Sequence, residues 1–147
     1  MLSLQGDTLA GIEFFTTFAT WDPDKVARHK LLVKANGDEG VSVIYGEFKR
    51  KDKRLRLFEL AIQDRYDKAL IVSGDTDLLP AVKAVQRTFP AKKIGIVIPI
   101  GRASENFKKQ ADFHHRVRVH HLAASRYPDR LILRDGITTL NCPATWR

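Results

Sequence analysis

Two aspartates lie two residues apart directly after an unbroken apolar run at residues 69–72. Carboxylates at this spacing in a turn can point at one position, as a hard cation such as Mg²⁺ or Mn²⁺ requires. Such an ion orients water for attack on a phosphodiester and stabilises the leaving oxygen. Asp75 and Asp77 are therefore candidate catalytic and metal-binding acids, and Ser73 adds a hydroxyl beside them.

A structural interpretation of the same residues stays open. Thr76 or Asp77 can cap a helix that begins near Leu78, an interaction that stabilises a protein by about 1 kcal/mol. Asp75 precedes such a cap and has no evident structural role in the sequence, which favours the metal site. The two roles are also compatible with each other.

A buried strand and a following helix must position these acids. The apolar run 69–72 is typical of a central parallel strand that is buried on both faces. A stripe at helical spacing predicts the next helix: Leu78, Val82, Val85 and Phe89. A second apolar run at 94–98 completes a βαβ unit, and ligands of parallel sheets bind beyond the carboxyl ends of the strands.

The rest of the chain predicts further short elements. Strands are expected at 12–19, 41–45 and 117–119, and helices at 53–63 and 104–112. Another helix is expected to start at Asp22-Pro23-Asp24, with Pro23 in its first turn, and to end at Asn36-Gly37. The 53–63 helix carries Leu55, Phe58 and Ile62 on one face, and a hairpin is predicted from 131–133 and 137–140 with its turn at Asp135-Gly136.

Length and composition set the class of protein. A chain of 147 residues fits one domain, and the alternation of strands and helices predicts an α/β fold with a three-layer parallel sheet flanked by helices. No apolar run approaches the roughly 20 residues of a membrane helix, so no membrane partner is expected. A single cysteine, Cys142, excludes an internal disulfide and favours the cytoplasm.

The charge of the chain predicts a polyanionic partner. The net charge is +8 and the pI about 9.8. The candidate substrate-binding cations cluster in one segment: Lys49, Arg50, Lys51, Lys53 and Arg54. A second basic stretch runs from Lys108 to Arg130, and two such stretches together favour contact with nucleic-acid phosphates. The histidines of this stretch are expected on the surface rather than in a metal site: His114, His115, His120 and His121.

A longer motif resembles a known family. The segment 66–78, Tyr-Asp-Lys-Ala-Leu-Ile-Val-Ser-Gly-Asp-Thr-Asp-Leu, with Pro80-Ala81-Val82 after it, is similar to the signature of bacterial NYN-domain proteins. These form a PIN-like group that includes LabA-like proteins. The similarity continues at 93–97 and 104–113, and upstream at 14–21, 27–29 and 45–49, so that it covers most of residues 12–113.

The resemblance implies a PIN-like, Rossmann-like ribonuclease that depends on Mg²⁺ or Mn²⁺ and acts on RNA. Carried over to this chain, Asp75 and Asp77 match metal-site acids, Ser73 matches the adjacent polar residue, and Asp112 matches an outer acid. The domain would span residues 1–126, and residues 127–147 would form an extension or hairpin.

Two features of the family pattern are missing. The chain lacks the opening strand with its first catalytic acid, and it lacks the acid of the helix before residues 69–72. The sheet is therefore expected to be incomplete, with a second copy or partner covering the exposed edge. An RNA-binding module without catalysis is the alternative function, and a different Asp-x-Asp enzyme, such as a nucleotide-sugar transferase or a phosphatase, is a third.

Overall fold

The computed structural model describes residues 6–46, 51–102 and 105–146, with side chains from residue 55 onward in the second range. The fold is α/β, with parallel sheets flanked by helices, as predicted. The described residues form two compact units: a central unit, which comprises residues 51–102 and 105–125, and a terminal unit, which comprises residues 6–46 and 126–146. Among the described helices, none has the length and apolarity needed to cross a membrane.

In chain order, the helices and strands of the described residues are β1 (Glu13–Thr16), α1 (Pro23–Asp38), β2 (Ser42–Tyr45), α2 (Lys51–Ile62), β3 (Lys68–Val72), α3 (Leu79–Thr88), β4 (Lys93–Ile98), α4 (Glu105–Gln110), β5 (Phe113–Arg116), α5 (Val119–Ala124), β6 (Arg130–Ile132) and β7 (Thr139–Asn141). Single 3₁₀ turns are formed by Thr76–Leu78 and Ala144–Trp146.

In the terminal unit, β1 and β2 pair in parallel and α1 connects them. The helix begins as predicted, because the Asp22 carboxylate accepts a hydrogen bond from the Lys25 N–H at 3.0 Å. It ends later than predicted. Gly37 lies inside the helix, and Gly40, with a φ of 82°, supplies the left-handed residue after it.

The predicted hairpin is present in the terminal unit, with its first strand one residue earlier than predicted and its second strand shorter and displaced toward the C-terminus. Strands β6 and β7 pair antiparallel, and the Asp135 carboxylate accepts hydrogen bonds from the N–H groups of Ile137 and Thr138 in the turn. The Arg134 N–H donates to both carboxylate oxygens of Asp38, at 3.1 and 3.0 Å, and so ties the hairpin to α1.

The central unit contains the predicted βαβ unit. Strands β3, β4 and β5 are all parallel, in that order, with Val72 opposite Val97 and Gly95 opposite Phe113. The prediction that β3 is the central strand, buried on both faces, is wrong. The centre is β4, while Val72 in β3 is 66% exposed. Two apolar runs of similar length do not reveal which one has neighbours on both sides.

The core of the central unit gathers residues from α2, α3, β4 and α4: Ala61, Val82, Val85, Ile94, Ile96, Ile98 and Phe107. The predicted α3 stripe packs here. The predicted apolar face of α2 is confirmed for Phe58, which packs against the core together with Leu57 and Ala61. It is wrong for Leu55 and Ile62, which are exposed. Both sets recur at helical spacing, and only the position of the neighbouring helix selects between them.

The chain after α4 also differs from the prediction. The expected strand at 117–119 is wrong, because β5 lies earlier, at Phe113–Arg116, and Val119 begins α5. The ring of Phe113 explains this register. It lies against Gly95 of β4, whose lack of a side chain leaves room for it. The alternating residues Arg116-Val117-Arg118-Val119 thus run from the end of β5 through two residues of irregular backbone into α5.

Candidate nucleic-acid interface

The turn after β3 is organised by Ser73 and Asp75, two of the three residues that the sequence predicted as functional there. The Ser73 N–H donates to the Val97 carbonyl at 3.2 Å, which carries the sheet pairing one residue beyond β3. The Ser73 hydroxyl accepts the Asp75 N–H at 3.0 Å. The Asp75 carboxylate in turn accepts the Asp77 N–H at 3.0 Å and caps the Thr76–Leu78 turn.

The hydrogen bonds of this turn show that the predicted helix-capping residue is a different one. The cap of the turn is Asp75, rather than Thr76 or Asp77, so Asp75 does have a structural role. One of its carboxylate oxygens, Oδ1, accepts the hydrogen bond of the cap. The spacing of the two acids is therefore explained in part by the requirements of the turn itself.

Asp112 does not join these acids. Its Oδ2 accepts the Ile94 N–H at 2.8 Å and a hydrogen bond from Gln86 at 3.2 Å, near the amino end of β4. Ser73 bonds to Val97, three residues further along β4, which places the two points roughly 10 Å apart along the strand. The expectation that Asp112 is an outer acid of the same metal site is wrong, because ligands lie within about 2.6 Å of an ion.

Groups of α3 and of the start of β4 contact the carboxylate of Asp112 and affect its pKa. Partial burial raises the pKa of this carboxyl, but the Ile94 N–H, the Gln86 amide and the Lys93 charge outweigh burial, and the net pKa is lowered. The Lys93 Nζ lies 3.8 Å from Oδ1. Asp112 therefore holds the starts of β4 and β5 together as an anion.

The donor set for a metal is small. In the described ranges, no group of three or more histidine, cysteine, aspartate or glutamate side chains is placed to hold an ion. Mg²⁺ is often bound by one or two carboxylates together with water and substrate phosphates, so Asp75 and Asp77 suit an ion that arrives with a phosphate ligand. They do not suit an ion held by the protein alone.

The predicted cationic segment falls largely outside the description. Lys49 and Arg50 lie outside the described residues. Lys51, Lys53 and Arg54 belong to the first turn of α2, and their side chains lie outside the description. Their role as substrate-binding residues stays a prediction.

A different set of cations lies at the carboxyl end of the central-unit sheet. The loop after β4 and the segment from the end of β5 to the start of α5 line a groove of about 470 Å³, formed by Pro99, Ile100, Gly101, Arg102, Arg116, Val117, Arg118 and Val119. Its lining includes three arginines and no acidic side chain. Among the described residues, none of the three guanidinium groups forms a salt bridge.

The arginine loop contacts the acid turn directly. A Cβ built on Gly74 would lie 2.8 Å from the Cβ of Arg102, so the backbone of the turn and the arginine chain are packed together. Arg116 and Arg118 belonged to the predicted basic stretch, but Arg102 was missed. The signal for it was its position just beyond the carboxyl end of a parallel strand.

Two titratable groups near the groove, Glu105 and His121, have lowered pKa values. The pKa of Glu105 is lowered, first by its hydrogen bond with Lys108 and also by the charge of Arg116. The pKa of His121 is lowered, first by desolvation and then by His120 and Arg118. His121 is therefore neutral at neutral pH, which suits its Nδ1 as acceptor of the Arg118 N–H at 3.2 Å.

The comparisons with known proteins support the fold alone. A protein of unknown function from Vibrio parahaemolyticus RIMD 2210633 has a similar structure, with a TM-score of 0.56 and 20% sequence identity over 74% of this chain and 69% of that chain. No family model matches the chain, and no curated protein matches it. The similarity places the chain among α/β proteins with parallel sheets flanked by helices.

Proposed function

We propose that the chain is an RNA-binding module whose central unit holds the phosphate backbone in the groove of Arg102, Arg116 and Arg118. One observation carries the proposal: three arginines, from the segment after β4 and from the end of β5 onward, line one groove whose described lining has no acidic residue. The net charge of +8 supports a polyanionic partner. The resemblance to the NYN group makes RNA the partner of choice.

The physics of the site predicts how binding responds to salt. Each phosphate that an arginine neutralises releases counterions, so the logarithm of the affinity falls with the logarithm of salt concentration by about 0.7 per contact for single strands. Three contacts contribute a slope of about 2. Guanidinium groups also form paired hydrogen bonds with phosphate oxygens, which fix the position of the strand.

The test measures the anisotropy of a labelled single-stranded RNA between about 50 and about 200 mM salt. We expect R102Q/R116Q/R118Q to lower the affinity by about tenfold or more and the salt slope by about 2. The control K83Q/R87Q/K109Q removes the same charge from exposed positions of the central unit outside the groove. Equal losses in the two variants would show that only net charge matters and would overturn the assignment of the groove.

Metal-dependent cleavage of RNA is the second candidate. The observation in its favour is that Asp75 and Asp77 share the turn against which Arg102 packs, so that Mg²⁺ or Mn²⁺ brought by a phosphate would find two carboxylates there. The ion would supply a Lewis acid beside the scissile phosphate. Asp75 and Asp77 would hold it, and Ser73 would orient the turn.

Asp75→Asn separates this candidate from the cap, because asparagine caps helices about as well as aspartate. RNA is incubated with Mn²⁺ and the wild type, D75N, D77N or the control D67N, which alters an exposed acid at the other end of β3. Cleavage that is lost in D75N and D77N but kept in D67N supports a nuclease. Equal cleavage by the wild type and D75N excludes it.

Two further proposals concern assembly and location. Within the described residues β3 ends its sheet, so its outer edge is a candidate for pairing with a second copy. Sedimentation that shows only a monomer at high concentration would exclude this. The single Cys142, whose thiol donates to the Pro143 carbonyl at 3.6 Å, is consistent with a cytoplasmic location, which fractionation would test.

A further inference from the structure

A second groove lies in the terminal unit, beyond the carboxyl end of β1. It has a volume of about 320 Å³, near the lower end of the range for small-molecule sites. Its lining combines cations, an indole and apolar side chains: Thr17, Ala19, Lys25, Arg28, His29, Leu32 and Trp146. The RNA-binding proposal uses none of these residues.

The wall of the groove formed by α1 follows from helical spacing. Positions 25, 28, 29 and 32 lie one above the other on a single face. Asp22 caps this helix through the Lys25 N–H, and its carboxylate also lies 3.1 Å from the Lys25 ammonium. Lys25 is thus already paired in part. In the described part of the chain, Arg28 forms no salt bridge, although its charge also helps to lower the pKa of Asp22 after the stronger effects of Lys25.

His29 makes this wall rigid. Its Nε2 lies 2.7 Å from the Thr16 hydroxyl, and its ring meets the edges of Phe14 and Phe18 at centroid distances of 6.5 and 5.1 Å. The imidazole is therefore engaged in packing between β1 and α1. The groups that remain for a ligand are the Arg28 guanidinium, the Lys25 ammonium, the Leu32 side chain and the Trp146 indole.

We propose that this groove binds a small ligand with a planar ring and a phosphate, of the class of a nucleoside monophosphate. Trp146 and Leu32 both line the groove, so a planar ring that enters it meets an indole and an aliphatic side chain, and stacking on an indole tolerates different bases. A guanidinium with a neighbouring ammonium matches a phosphate in charge and hydrogen-bonding geometry. The volume allows one nucleotide and excludes a folded polymer.

The test is a fluorescence titration with AMP. The chain has two tryptophans, Trp21 and Trp146, so a W21F background leaves Trp146 as the only indole. We expect saturable quenching by AMP. Arg28→Gln should weaken binding by about tenfold, the loss of one charge-assisted contact. Lys30→Gln, an exposed position on the same helix outside the groove, should change it by less than about twofold.

Two partial ligands test the two halves of the site. Adenosine and ribose 5-phosphate should each bind about tenfold more weakly than AMP, because each lacks one of the two recognised groups. Lys25→Gln is the second variant if R28Q loses its thermal transition, since the cap of α1 uses only the Lys25 backbone. Unsaturable quenching, equal effects of R28Q and K30Q, or equal binding of ribose 5-phosphate and AMP would each overturn the proposal.

Discussion

The side chain of Arg102 lies directly against Gly74. A Cβ built on Gly74 would lie 2.8 Å from the Arg102 Cβ and 2.9 Å from its Cγ, closer than side-chain carbons approach each other. The contact connects the turn that contains Asp75 to the loop that contributes an arginine to the groove. The acids and the nearest arginine therefore depend on one close backbone approach, for which glycine is required.

Gly74→Ala should displace Arg102. The added methyl overlaps the first two carbons of the arginine chain, which cannot swing away without moving the loop. We expect a loss of about 1–3 kcal/mol in the free energy of unfolding and weaker RNA binding. Urea unfolding and anisotropy measure the two effects.

A double-mutant cycle gives the control for this prediction. In an R102A background the overlap with Cγ and Cδ disappears, so G74A should cost less there than in the wild type. Gly37→Ala, inside α1 with nothing within 4 Å of the added carbon, should stabilise the chain by about 0.5–1 kcal/mol. If G74A and G37A change the free energy of unfolding equally, the contact between Gly74 and Arg102 does not affect stability.

Gly95→Ala should be more damaging. A Cβ on Gly95 would lie 2.2 Å from the Phe113 ring, in the middle of the central strand, where the backbone cannot move aside. We expect a loss of about 3 kcal/mol or more, measured by urea unfolding. In an F113A background the added cost should fall by more than about 1 kcal/mol. An unchanged cost would mean that the ring does not determine the β4–β5 register.

The same residue pair shows why part of the fold was not predictable. The apolar runs and the α3 stripe identify β3, α3 and β4, because strand and helix periodicities are local properties of the sequence. The position of β5 depends on a ring from one strand lying over a glycine of another. Alternation alone favoured residues 117–119, since nothing local connects Phe113 to Gly95.

In the candidate site, too, the sequence predicted the features that depend on local patterns and missed those that depend on contacts between distant residues. Local patterns located Ser73, Asp75 and Asp77 at the end of a strand, where the structure has them. Asp112 was assigned to the same site by resemblance, but the β-sheet register places it near the opposite end of β4. Arg102 was missed because its neighbours in the groove come from another loop, and only the strand order brings them together.

The pH dependence of stability should reveal the contact between Asp64 and Lys92. The buried Lys92 Nζ lies 2.5 Å from the Asp64 carboxylate, 2.7 Å from the Tyr66 carbonyl and 5.2 Å from the centre of the Tyr66 ring. The hydrogen bond and charge of Lys92 lower the pKa of Asp64 from its ordinary value of 3.8. Its contribution to stability is therefore present above that value and is lost as pH falls through the lowered pKa.

Asp64→Asn should thus be less stable than the wild type near neutral pH, and the difference should shrink as the pH falls to about 3. Urea unfolding across this range measures it. In a K92M background, D64N should no longer change the pH dependence, because the ammonium that lowers the pKa is absent. A difference that grows at low pH would contradict the assignment.

Variants of Asp112 can distinguish a structural role of this residue from a role in the reaction. Its side chain is 26% exposed, and its Oδ2 is the acceptor for the Ile94 N–H at the start of the central strand. Asp112→Ala leaves that N–H without its acceptor and should cost about 1–3 kcal/mol. Asp112→Asn keeps a carbonyl oxygen there and should cost less.

Amide exchange at Ile94 should therefore accelerate in D112A but much less in D112N, while RNA binding and any Mn²⁺-dependent cleavage persist in both folded variants. Loss of cleavage in a stable D112N variant, with Ile94 still protected, would return Asp112 to the reaction site, against its position near the amino end of β4.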